Sequence, residues 1–190
     1  MAKRSARQLW KAKLEGKSVG SQSYALPGKS KFTGTILGID PSLRGTGLAV
    51  VEFRTPHAPT ILHSRTVKAK ASLSMPTCLG LINTSVTELL EKYQVGVVAL
   101  EQTIYVQNFQ TAQILGAARG AAIAAAAVKE LSVFEYPPLR VKQAVVGHGR
   151  ASKEQVAKTV RALAKLGDEL AYDESDAAAV AICHAFTGEA

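Results

Sequence analysis

The run VGVVAL, residues 95–100, most constrains what this chain can fold into. It is dense in Val and has no polar alternation, which suits a strand buried on both faces. Such a strand needs helices on both sides, and the flanking sequence supplies them. In MPTCLGLINTSVTELLEKY, Leu79, Ile82, Val86, Leu89 and Leu90 recur at helical spacing and predict a helix over 76–93. An Ala- and Gly-rich stretch predicts a long helix over 108–130. A buried strand between two helices belongs to an α/β arrangement.

The rest of the chain extends that unit. Residues 35–39, 47–53 and 60–68 read as strands; a Gly-rich turn joins the first two, and PHAP at 56–59 sets off the third. SVFEY, 132–136, reads as a fifth strand ended by Pro137 and Pro138. A short helix over 139–146 leads to the GHGR turn, and helices over 152–166 and 174–187 complete the chain. There are no internal repeats. The expected fold is α/β, a five-stranded mixed sheet flanked by helices, antiparallel first and parallel later.

Composition separates this domain, residues 34–190, from an N-terminal arm, residues 1–33. The net charge of the 190-residue chain is +8. The arm holds eight Lys and Arg against one acid, and the remainder holds 15 against 14, so nearly all the excess belongs to the arm. Few large apolar groups occur there; a disordered segment with a short helix over 8–14 is expected. Such an arm suits phosphate tracking, although a solvated arm that aids solubility, or an organelle presequence, has the same composition. No signal peptide is legible. Residues 112–128 are apolar but interrupted by Arg119, which favours a soluble helix over a membrane span. Cys78 and Cys183 lack metal-binding spacing, and a reducing, cytoplasmic setting is expected.

Within this layout the acids are informative. Asp40, in ILGIDPSLRGTGLAVVEF, ends the first strand, and Glu101 ends the Val-rich strand at VVALEQ. Taken alone, Asp before Pro is ordinary turn chemistry, and a strand-end Glu can pair with a Lys. A right-handed crossover, however, sets these strands side by side, with both carboxylates at the sheet edge where open α/β sheets hold ligands. In YDESDAAAVAICHAF, Asp173 and Asp176 share one face at the start of the final helix. Acids there also suit the helix dipole without any metal. Four carboxylates within reach of one another repel unless cations lie between them, and an oxygen-lined site of this kind suits Mg²⁺ or Mn²⁺.

From about residue 35 to 187 the chain resembles the RuvC-type Holliday-junction resolvases of the ribonuclease H-like superfold. The resemblance rests on GIDPSLRGTGLAV, VVALEQTIYVQNFQTAQILGAARGAAIAAA, VFEYPPLRVKQAVVGHGRASKEQV and DESDAAAVAICHA, four blocks in order. It implies a crossover junction endodeoxyribonuclease acting in recombination and repair. Asp40, Glu101, Asp173 and Asp176 would be the catalytic carboxylates holding two Mg²⁺ ions, with Mn²⁺ as a substitute. Lys142, Lys153, Tyr105 and Arg119 would meet DNA; the two lysines also read as ordinary exposed helix residues. The resemblance further implies a four-way DNA junction as substrate, a homodimer contacting through the long helix at 108–130, and RuvA–RuvB as branch-migration partners, with no membrane. The products would be a 5′-phosphate and a 3′-hydroxyl.

Two positions depart from the family pattern. Ser42 stands where Gly is frequent, predicting a less open first turn. Ile104 stands where an aromatic is common, leaving Tyr105 or Phe109 to stack on a base. The competing readings are another ribonuclease H-like nuclease, acting on RNA–DNA hybrids or other branched substrates, and a catalytically inactive DNA-binding module. An actin-like or sugar-kinase ATPase shares the opening loop but needs a second such domain.

Overall fold

Side chains along a strand alternate between faces, and that alternation organises the whole molecule. The computed structural model describes residues 32–54, 58–103 and 108–188. Strands β1 (Gly34–Asp40), β2 (Gly45–Phe53) and β3 (Thr60–Lys68) form an antiparallel meander. Helix α1 (Met75–Lys92) crosses over to β4 (Val97–Glu101), parallel to β1. Helix α2 (Phe109–Val128) crosses to β5 (Val133–Tyr136), parallel to β4. Helices α3 (Pro138–Val146), α4 (Lys153–Leu163) and α5 (Tyr172–Thr187) follow. The sheet order is β3-β2-β1-β4-β5, the mixed five-stranded sheet expected from the sequence.

Each sheet face has its own core. Leu37, Ile39, Leu48, Val50, Val98 and Leu100 point toward α1 and α2. Ile36, Ala49, Val51, Phe53, Val97 and Ala99 point toward α5, which α3 and α4 flank. Helix α5 is a core element, with every residue from Ala177 to Ala185 buried. It lies very close to the sheet because both surfaces are small. A Cβ on Gly38 would stand 2.0 Å from the Ala177 carbonyl oxygen, and one on Gly47 would stand 1.9 Å from that of Asp173. Only glycine permits backbone approach of this kind.

Local chemistry sets the ends of the helices. Asn108 caps α2 by accepting a hydrogen bond from the Thr111 N–H at 3.2 Å. Ser152 and Gln155 form a reciprocal capping box on α4. Gly147, in the left-handed region at φ 92°, ends α3. The observed boundaries differ from those read in the sequence by a few residues at most. Two shifts matter: β4 includes Glu101 as its last residue, and α5 starts at Tyr172, so Asp173 belongs to its first turn.

Phe32, assigned by composition to the arm, packs edge-on against Phe53 (6.2 Å) and His184 (5.5 Å). Residues 1–31, with the short helix expected over 8–14, lie outside the described residues. Cys78 and Cys183 are buried free thiols, one on α1 and one on α5.

Candidate active site

The parallel pairing of β1 with β4 runs from Ile36 opposite Val97 to Ile39 opposite Leu100. Asp40 and Glu101 come next on their strands, at the same end of the sheet. Two-residue alternation places Asp40 on the face of Ile36 and Gly38, and Glu101 on that of Val97 and Ala99. Both carboxylates therefore look toward α5. The other two candidates lie there: Asp173 and Asp176 occupy the first turns of α5, and the Asp173 backbone sits on Gly47, which pairs with Asp40 across β1–β2.

Burial dominates the electrostatics. Desolvation, then the charge of Asp176, raises the Asp40 carboxyl to a pKa of about 6. Desolvation and the charge of Asp40 push Glu101 to about 8, and a hydrogen bond between the two favours a protonated Glu101 beside an ionised Asp40. The pair holds one proton between them near neutral pH. Lys153, at the start of α4, reaches Asp176 at 3.2 Å, and that carboxylate raises the lysine's pKa.

Three of the four acids are thus paired, Asp40 with Glu101 and Asp176 with Lys153, while the Asp173 carboxylate faces Gly45, 3.4 Å from where a Cβ there would stand. Among the described residues no three Asp, Glu, His or Cys side chains form a ready-made ligand cluster. A proton shared by the first pair and the Lys153 ammonium beside Asp176 offset the mutual repulsion of these carboxylates. The donor set still fits a hard divalent cation. All four candidates offer carboxylate oxygens. Desolvation holds two of them, the half-buried Asp40 and Glu101, above the ordinary carboxylate range despite the nearby Lys153, so their ionised forms gain from an added cation. Glu174, on the same turn, faces elsewhere: its carboxylate accepts a 2.6 Å hydrogen bond from the Ser64 hydroxyl on β3.

The turn after Asp40 is closed by a residue that sequence reasoning passed over. The fully buried Thr46 hydroxyl accepts from the Ser42 N–H at 3.1 Å and donates to the Ser42 carbonyl. Ser42 is not among the residues with positive φ, so the turn accommodates serine without strain. Arg44 ties this turn to the β3–α1 connection, donating to the Lys70 and Leu73 carbonyls. The GTG sequence at 45–47 was the available signal, a hydroxyl between two glycines.

The predicted DNA-contacting residues are dispersed. Lys153 lies at the carboxylates, and Lys142 lies on α3, half-buried. Arg119 is not a free cation: it forms an ion pair with Glu135 that ties α2 to the edge strand β5. Phe109 opens α2 with 77% of its surface exposed. Tyr105 and Ile104 lie outside the described residues.

A family model described as "Crossover junction endodeoxyribonuclease RuvC" matches residues 36–184, the span from within β1 to the last turn of α5. The chain belongs to the RuvC family. A RuvC from Ralstonia pickettii is 43% identical over 154 residues, covering 81% of this chain and 84% of that protein. A RuvC from Nitrosomonas eutropha is 45% identical over 153 residues, covering 80% and 85%. The structure of T. thermophilus RuvC in complex with Holliday junction substrate superposes with a TM-score of 0.76 at 34% identity, covering 80% of this chain and 93% of that one. The architecture is thus the ribonuclease H-like fold of RuvC proteins, and the chain is a nuclease of that family.

Proposed function

We propose that this chain resolves four-way DNA junctions by metal-dependent phosphodiester hydrolysis, with Asp40, Glu101, Asp173 and Asp176 as the catalytic carboxylates. The observation that carries the reading is the meeting of Asp40 and Glu101 at one sheet edge, beneath an acidic first turn of α5. Two Mg²⁺ ions, with Mn²⁺ as a substitute, would lower the pKa of the attacking water and stabilise charge on the departing 3′-oxygen. The chain's part is to hold them. Asp40 and Glu101 must give up their shared proton to do so, and Asp176 must release Lys153. The freed ammonium then lies where it can offset charge on the scissile phosphate. Water adds to phosphorus and the P–O3′ bond breaks, leaving a 5′-phosphate and a 3′-hydroxyl.

Resolution needs two opposed cuts, hence two copies of the chain. Helix α2 supports a homodimer: among the described residues nothing lies within 4 Å of where a Cβ on Gly116 or Gly120 would stand, while its opposite side packs against the core. RuvA and RuvB are the branch-migration partners proposed from family membership. The basic arm, 1–33, is proposed as a phosphate-contacting extension. Incubation with Mg²⁺ and labelled substrates tests the reading. Paired symmetric cuts in a four-way junction are expected, with linear duplex and RNA–DNA hybrid left intact. Cleavage of the hybrid alone would indicate a ribonuclease H, and binding without cutting an inactive module; either overturns the proposal.

A further inference from the structure

We propose that the pocket between α4 and the segment entering α5 holds one nucleotide of the DNA strand beside the cut, with its base stacked on Tyr172 and its phosphate against Lys158. This rests on the junction-nuclease reading above. The pocket encloses about 520 Å³, within the roughly 300–1,000 Å³ typical of small-ligand sites. Glu154, Ala157, Lys158 and Arg161 recur at helical spacing and form the α4 wall; residues 169–172 form the other.

The pocket adjoins the carboxylates at both walls. Tyr172 immediately precedes Asp173, and Lys153, which holds Asp176, immediately precedes Glu154. Tyr172 also lies one helical turn before Asp176 on the same face of α5, so a strand reaching Asp176 comes within a turn of the pocket. The far wall is fixed: the Arg161 guanidinium donates to the Leu166 and Gly167 carbonyls and to the Glu169 carboxylate. That spends Arg161 on structure, whereas Lys158 has no salt bridge among the described residues.

The lining suits a nucleobase. Ala157, Leu170, Ala171 and the Tyr172 ring offer apolar faces, and Glu154 offers an acceptor for an exocyclic amino group. Inorganic phosphate would leave the apolar walls unmatched, and a wholly apolar ligand would make no use of the exposed Lys158 and Glu154 at the rim. Tyr172 is 52% exposed, an open ring available for stacking.

Junctions carrying single 2-aminopurine substitutions near the mapped cut test this, bound by proteins with Asp40→Asn so that the complexes stay uncut. A fluorescence change at one position is expected with the native Tyr172 and with Tyr172→Phe, and its loss with Tyr172→Ala. In the cutting-competent chain, Tyr172→Ala should slow cleavage about ten-fold and flatten discrimination between junctions differing at that position. Tyr172→Phe should stay within about two-fold of wild type, since stacking needs the ring and not the hydroxyl. Lys158→Gln should weaken binding and reduce its salt slope by about one ion. Unchanged fluorescence, rate and discrimination in Tyr172→Ala would overturn the pocket assignment, as would equal losses in the Ala and Phe variants. If the unmodified chain cuts no junction, the nuclease reading fails, a result distinct from either.

Discussion

Asp40 and Glu101 share a proton, and that proton decides how the site answers to pH. Their folded pKa values, about 6 and about 8, lie above the ordinary values of 3.8 and 4.5. Folding therefore favours the protonated carboxyls. Their support for the metal-free fold is complete below the ordinary range and is lost as pH rises through 6 and then 8. Chelator-treated protein should melt at progressively lower temperature from about pH 5 to about pH 9. Over the same interval the rise in melting temperature on adding Mg²⁺ should grow, because the metal must displace the proton. A pH-independent Mg²⁺ shift would remove this pair from the metal site. Glu101→Gln separates the two roles. Its amide N–H can replace the proton donated to Asp40, so the metal-free variant should melt above wild type at about pH 8. Junction cleavage should fall by more than about a hundred-fold. Normal cutting by this variant would dismiss Glu101 from catalysis.

At the scale of elements, the site depends on how closely α5 lies on β1 and β2. Gly47 is the contact to disturb: any Cβ there meets the Asp173 backbone. Gly47→Ala should cost about 1–3 kcal/mol of stability through overpacking and reduce cleavage beyond what the lost folded fraction explains, since the first turn of α5 must move. Denaturant melts read beside single-turnover cutting would check this; full activity in the folded fraction would contradict it. The elements themselves were legible because their signals are local. Val-rich β4, the periodic apolar positions of α1 and the prolines after β5 each declare their type and approximate ends. The sheet edge shared by Asp40 and Glu101 was legible too, from crossover handedness; the face toward α5 comes from the pairing register. The pairing of acids was not. Whether Asp176 meets a metal or Lys153, and whether Arg119 meets DNA or Glu135, depends on side chains brought together from different elements. No periodicity encodes that. Thr46 escaped notice for the same reason, since its partner is a backbone that only the folded turn presents.

For the whole molecule, charge is the quantity the domain and the arm divide unequally. If the arm meets phosphates, deleting residues 1–31 should weaken junction affinity and flatten its dependence on salt, each lost phosphate contact lowering the log–log slope by about 0.9. An unchanged slope would assign the arm to solubility or targeting. The deletion ends before Phe32, whose ring belongs to the core beside Phe53 and His184. The placement of α5 has a wider consequence. A helix that is the centre of one core layer also carries two of the four proposed carboxylates, Asp173 and Asp176. Among the described residues, those two acids cannot shift far without unpacking that layer from the sheet, so the geometry of the proposed site and the integrity of the core stand or fall together.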